Sequence, residues 1–200
     1  MPKATFFNLD PEKREAVLQA AWEEFARHPF EQASLSRIVQ DSRIAKGSMY
    51  QYFEDKLDLY LYMVELAYEQ KRSYLKKAFA LKADMFTILE EYYHQSYLFA
   101  RDFPFMHRVI NNFWDSRAPA LEAELARGKL SRSQDFSGFL KEARRKGVVN
   151  PLLNPEAIFF VYHAVGRDLI EYFGDEANSR FVSDVLDVLK YGLQAREEGS

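Results

Sequence analysis

Residues 45–56, AKGSMYQYFEDK, crowd aromatic rings and two lysines around one glycine. If the stretch is a helix, its side chains divide by spacing. Met49 and Phe53 stand at i and i+4 and point together into a core. Lys46 and the free amides of the first turn make a positive helix end that suits phosphates or base edges. Gly47 has no side chain, so a partner can approach the backbone closely. Ser48 can hydrogen-bond a base edge or a phosphate. Tyr50 and Tyr52 flank the inward pair, and their hydroxyls can reach phosphates, contacts that fix register. Lys56, three residues after Phe53, can clamp another phosphate. The chemistry is recognition of an anionic polymer rather than bond-making.

Other chemistries lack their residues. The histidines (His28, His94, His107, His163) are scattered, without metal-ligand spacing. No nucleophile elbow, phosphate loop or dinucleotide glycine pattern occurs. The reading is therefore not an enzyme, with no metal and no cofactor. There is no cysteine, hence no disulfide framework. No run is apolar enough for a membrane span, and no secretory signal opens the chain, so the expected compartment is the cytoplasm. The net charge is −3, and the first sixty residues carry eight Lys and Arg against ten Asp and Glu. Any nucleic-acid contact must be local and placed, not a broad electrostatic footprint.

Helices must position these residues. Hydrophobic residues make up 48% of the 200, while only eight glycines and seven prolines punctuate them, which favours long helices. Asp10-Pro11-Glu12 is a cap, a first-turn proline and an acid at a helix start, and Leu18, Ala21, Trp22 and Phe25 make its apolar stripe. Ser34 can cap a short second helix with Leu35, Ile38 and Val39 inward. A third short helix covers about Lys46 to Phe53. Longer helices follow from about Asp55 to Phe79, Met85 to Arg101, Pro104 onward, Pro119 to Lys146, from Asn154-Pro155-Glu156, and from Asn178 to Arg196. The fold class is all-α with about nine helices: an N-terminal three-helix domain over 1–55 and a C-terminal helical domain over 56–200. Two short helices joined by a tight turn fit a helix-turn-helix, whose second helix lies in the DNA major groove. Plain helical packing, with the aromatics holding a small subdomain together, fits the same pattern.

ASLSRIVQDSRIAKGSMYQYFEDKLDLY resembles the DNA-binding domain of the TetR/AcrR family of bacterial regulators. Ser34, Ile38, Gly47, Tyr50, Tyr52, Phe53 and Lys56 fall on the family pattern, and AAWEEFA resembles its preceding helix. The resemblance covers about residues 10 to 65. It implies DNA contact by Ser36, Lys46, Gly47, Ser48, Tyr50, Tyr52 and Lys56. Placement adds Arg37, Arg43 and Gln51. Two positions depart from the family. Its turn glycine is Arg43 here, strained if the turn needs positive φ, and its cap serine is Ala45.

The resemblance also implies an effector pocket in the C-terminal domain and a homodimer. The aromatic-rich middle suggests Tyr93, Tyr97, His107, Asn111, Phe113, Trp114 and Phe139 as the pocket lining, for a small hydrophobic or amphipathic effector. FFNLDPEKRE has a likeness to members that govern fatty-acid metabolism, pointing to a fatty acid or acyl-CoA. A cationic drug is the alternative: Glu90, Glu91 and Asp115 would favour it, whereas Arg101 and Arg108 would favour the acyl-CoA. Phe159, Tyr162, His163, Gly166 and Ile170 mark one side of the eighth helix, and Phe181, Val185, Val188, Leu189 and Gly192 one side of the ninth. These sides either pack within one chain or pair two copies. A dimer would read a palindromic double-stranded DNA operator with half-sites about 34–36 Å apart. The expected role is a repressor released by its effector. The rival reading is a helical small-molecule-binding or interaction protein that does not bind DNA.

Overall fold

A computed structural model describes residues 1–126, 140–141, 143–147, 149–174 and 178–193. Among them the chain is helical and contains no β-strand. The helices are α1 (Ala4–Phe7), α2 (Pro11–Arg27), α3 (Leu35–Asp41), α4 (Lys46–Tyr52), α5 (Lys56–Phe79), α6 (Met85–Asp102), α7 (Pro104–Asp115), α8 (Pro119–Ala126), α9 (Pro155–Leu169) and α10 (Ser179–Leu193), with a 3₁₀ turn at Ile170–Tyr172.

Local chemistry sets most of these boundaries. The Asp10 carboxylate accepts from the Glu12 amide at 3.1 Å and Pro11 occupies the first turn, so α2 begins there. Asp84 accepts from the amide of Phe86 at 2.9 Å ahead of α6. The Asn154 side chain accepts from the Glu156 amide at 2.7 Å at the start of α9. Ser34 departs from its expected role. Its side chain caps nothing, and its amide instead donates to the Glu24 carboxylate at 2.7 Å.

The chain forms two compact units, Met1–Arg72 with Asp102–Ser131 and Ser73–Arg101 with Arg132–Ser200. This division by packing falls inside α5 at Arg72, later than the expected boundary at residue 55, and it assigns α7 and α8 to the N-terminal unit. The reason is visible in the first unit. α7 packs along α2, and the Asn112 amide donates to the carbonyl of Phe25 at 2.8 Å, meeting an orphan acceptor at the α2 C-terminus. Phe25, Tyr60 and Phe113 form a buried aromatic chain, with Phe25 and Tyr60 ring centres 4.9 Å apart. The second unit has its own core. Tyr93 stacks on Tyr162 and donates to the Tyr162 carbonyl at 3.0 Å, among Leu89, Ile158, Leu169 and Leu189.

The turn between α3 and α4 carries strain. Arg43 has φ of +56°, the left-handed region that disfavours side chains with a Cβ. Arg43→Gly is therefore expected to raise the unfolding free energy by about 1 kcal/mol. Urea unfolding checks this; an unchanged or lower midpoint would mean that the turn tolerates arginine without cost.

Candidate nucleic-acid interface and effector residues

α4 presents one face inward and one outward. Met49 and Phe53 are buried, as their spacing predicts. Tyr50 is 55% exposed, and Gly47 and Gln51 are also exposed, with Ser48 half-buried. Nothing in the protein lies within 4 Å of where a Gly47 side chain would start. On α3, Ser36 is exposed, and Arg43 in the turn is exposed too. Lys46 opens α4. The helix has no side-chain cap, because Ala45 occupies the capping position.

Three predicted contact residues are engaged elsewhere. Tyr52 is only 9% exposed. It lies three residues after Met49, on the same side of the helix, and packs against Phe6 with ring centres 6.1 Å apart. Arg37 grips the buried Glu24 through Nε, 2.9 Å from Oε2, and through Nη2. It also donates to the Gln32 carbonyl at 2.9 Å. Burial alone would raise the Glu24 carboxyl. The hydrogen bonds from Arg37 and the Ser34 amide outweigh it, and the group sits below its usual value of 4.5. Lys56 donates from Nζ to the carbonyls of Phe30 at 2.7 Å and Ala33 at 3.0 Å, and lies over the Phe30 ring at 4.6 Å. It caps the turn after α2 rather than reaching out for a phosphate. No local pattern in the sequence points to Glu24 or to the Phe30 carbonyl, 13 residues from Arg37 and 26 from Lys56.

Sequence spacing missed the segment that meets α4 from outside. The Lys3 amide donates to the Tyr52 carbonyl at 2.8 Å, and Lys3 Nζ donates to the Tyr50 carbonyl at 2.8 Å. The Thr5 hydroxyl donates to the Gln51 carbonyl. Phe6 is fully buried with Phe53, ring centres 4.9 Å apart. Phe6-Phe7 was the only available signal, an apolar pair too short for a period.

The residues expected to line a pocket divide between the units. Phe113 is fully buried in the first core against Tyr60 and Tyr68, and Tyr93 is buried in the second. Both are packing residues. Tyr97 is half-buried and stacks on Phe173. Trp114 is half-buried on α7. Phe139 lies outside the described residues. His107 and Asn111 come together on α7, Nε2 to Nδ2 at 3.1 Å. Burial pushes the His107 imidazole down to about 4, aided by the positive charges of Lys71 and Arg108. Desolvation lowers the Lys71 ammonium to about 8. Glu90, Arg101, Arg108 and Asp115 are exposed, Glu91 is half-buried and accepts from the Gln95 amide at 2.8 Å, and Lys71 is a partly buried charge that the spacing did not single out.

The residues expected at an interface divide between inward and outward faces. Tyr162, Gly166, Ile170 and Leu189 face the interior of the second unit, because the α9 stripe that begins at Ile158 packs on Tyr93. A methyl at Gly166 would strike the Tyr93 ring. Phe159, His163 and Val185 are half-buried. Phe160 and Val161 on α9, with Phe181, Val188 and Tyr191 on α10, point outward, and Phe160 and Val188 are 71% and 72% exposed. Gly192 is exposed with open space above it. Tyr172, in the 3₁₀ turn after α9, and Phe181 on α10 bring their rings together at 4.9 Å between centres, both exposed.

Residues 17–63 match the family profile of bacterial regulatory proteins, tetR family. A TetR-family transcriptional regulator from Chloroflexus aurantiacus J-10-FL is 28% identical, covering 98% of this chain and 100% of that one, with a TM-score of 0.74. Residues 17–63 thus carry the tetR-family match, and the fold of the whole chain is like that of TetR-family regulators. Further likenesses to solved structures show the fold. A regulator from Shewanella sp. PV-4 is 16% identical over 94% of this chain and all of that one, TM-score 0.70. The fatty acid degradation regulator FadR from Bacillus halodurans is 19% identical over 94% and 99%, TM-score 0.67. No curated protein matches the sequence. The match over residues 17–63 makes the N-terminal helices a helix-turn-helix and supports a DNA-binding regulator of transcription. Among the described residues no group of three or more His, Asp or Glu is placed to hold a metal, and no helix is long and apolar enough to cross a membrane.

Two predictions follow the side-chain geometry. Lys56→Met leaves the carbonyls of the 30–33 turn without their donor and should cost about 1–3 kcal/mol in urea unfolding; a loss of DNA affinity at full stability would return Lys56 to the phosphate contacts. His107 is neutral in the folded state well below its ordinary value of 6.5. The unfolded chain takes up this proton first as the pH falls, so stability drops between about pH 6.5 and 4. His107→Gln should flatten that part of the curve, and an unaltered slope would place the titration elsewhere.

Proposed function

We propose that this TetR-family chain is a repressor whose two copies each lay one α4 on a palindromic operator. The observation that carries the reading is Gly47. It stands exposed at the start of α4 with nothing of the protein near it, beside Ser48 and Tyr50, while Met49 and Phe53 anchor the opposite face. Ser36, Arg43, Lys46, Gly47, Ser48, Tyr50 and Gln51 form the proposed contact set. Phosphate contacts then position the helix, and the few polar groups facing base edges select the sequence.

The proposed dimer uses the outward apolar surface of α9 and α10, where Phe160, Val161, Phe181, Val188 and Tyr191 meet water in the isolated chain. An isologous pairing about a two-fold axis would cover it and give the operator its symmetry. The proposed effector is a small amphipathic anion, a fatty acid or acyl-CoA. Its support is the positive charge of Lys71 near His107 in the first unit, and the likeness of FFNLDPEKRE to members that govern fatty-acid metabolism. Occupancy must favour a state that holds DNA poorly, or nothing changes. α7 offers a route for that shift, since its Asn112 ties it to the end of α2.

Gly47→Ala separates fold from function. A methyl there meets no protein atom, and alanine is the better helix former, so stability should hold or rise by about 0.5–1 kcal/mol. Affinity for a duplex selected by the wild-type protein from a random-sequence pool should fall about tenfold, the cost of one lost close contact. Full affinity in a stable variant would remove α4 from the DNA. Val188→Asp should yield monomers by analytical ultracentrifugation and weaken operator binding; a dimer surviving that charge would place the interface elsewhere. Lauroyl- or palmitoyl-CoA should release the selected duplex in a gel shift, and release by a lipophilic cation alone would reverse the assigned charge of the effector.

A further inference from the structure

α4 is seven residues long and lacks capping chemistry of its own at either end. Ala45 provides no hydroxyl at its start. At its end the chain turns away through Phe53 in extended conformation, with no glycine to fold back on the last carbonyls. A helix of two turns is far below the length that holds itself in water. Its final carbonyls are nevertheless all met. Lys3 takes those of Tyr50 and Tyr52, through its ammonium and its amide, and Thr5 takes that of Gln51. A positive ammonium at a helix C-terminus also opposes the helix dipole. Phe6 fastens this arrangement into the core between Phe53, Tyr52 and Tyr62.

We propose that Lys3 and Thr5 are positioning residues for DNA recognition: together they form a C-terminal cap, supplied from outside the helix, that holds the last turn of α4 in the conformation that presents Tyr50 and Gln51. The inference rests on the reading that α4 meets DNA. It assigns a role to a segment that precedes the family match, which begins at residue 17. Lys3 acts through the carbonyl of Tyr50, not by touching a phosphate. Tyr50 and Gln51 sit at the carbonyls that the cap holds, so loosening the cap moves the two side chains directly. The rest of α4 stays anchored by Met49 and Phe53.

The test uses the full chain with Lys3→Met and Thr5→Val combined, since both sites are exposed and the core residue Phe6 is left alone. Without DNA, amide exchange at Tyr50–Phe53 should quicken about tenfold, the loss of about one net hydrogen bond, while α2 exchanges as before. Affinity for the duplex selected by the wild-type protein should fall about tenfold, and affinity for poly(dI-dC) should not change. Lys3→Arg should restore both readouts, and the slope of log affinity on log salt should be that of the wild type. Unchanged exchange in α4, or full operator affinity in the variant, overturns the proposal. A salt slope lower by about one makes Lys3 a phosphate contact and overturns it too. A uniform rise in exchange across the first unit shows general destabilisation and counts against it equally. If the wild-type protein selects no duplex at all, the DNA reading of α4 fails, while the exchange arm alone still decides whether the cap exists.

Discussion

Seven residues cannot maintain a helix in water, and the arrangement of the first unit answers that constraint on α4. Nucleating a helix costs more than two turns of hydrogen bonds return, so α4 exists only as far as its surroundings hold it. Met49 and Phe53 anchor one face, and Tyr52 adds a third buried ring because it falls on the same side as Met49. α1 closes the end. The left-handed Arg43 sets the direction from which the helix starts. The proposed recognition surface is what remains uncovered once these demands are met. That explains why Gly47, Tyr50 and Gln51 are exposed and Tyr52 is not.

The same demands take up charge. Of the cations near the helix-turn-helix, Arg37 is held by Glu24, Lys56 by the carbonyls of the 30–33 turn, and Lys3 by the end of α4. Each satisfies a group that would otherwise be left unpaired, a larger effect than the screened attraction of an exposed cation for phosphate. The first sixty residues are slightly acidic. On the proposed reading of α4, DNA contact draws little on counterion release and depends on fit, with neutral polar groups near Arg43. That reading predicts weak non-specific binding and sharp dependence on individual side chains.

Helices announced by local chemistry were legible in the sequence. Asp10-Pro11, Asp84, Pro104 and Asn154-Pro155 each give a cap or a rigid first turn, and the helices start there. The departure at Arg43 was legible too, because a turn that needs positive φ leaves few alternatives. The rest depended on partners distant along the chain. Nothing near Arg37 or Lys56 names Glu24 or the Phe30 carbonyl. α1 has four residues, shorter than any period, and is stabilised by contacts 46 to 47 positions away. On α9 and α10 apolar residues occupy more than one face, so periodicity could not tell the side that packs on Tyr93 from the side that carries Phe160 and Val188. The aromatic-rich middle misled in the same way. Phe113 and Tyr93 have the composition of a pocket and the burial of a core.

The central claim is that α4 meets DNA through its uncovered edge while Arg37 and Lys56 stay with their protein partners. Titrating the selected duplex into isotopically labelled protein and following amide and side-chain NMR signals tests it most directly. The account predicts perturbation at Ser36, Arg43, Gly47, Ser48, Tyr50 and Gln51, with the Arg37 Nε and Lys56 Nζ signals unmoved. Large shifts at Arg37 and Lys56 with a silent Gly47–Gln51 edge would contradict it.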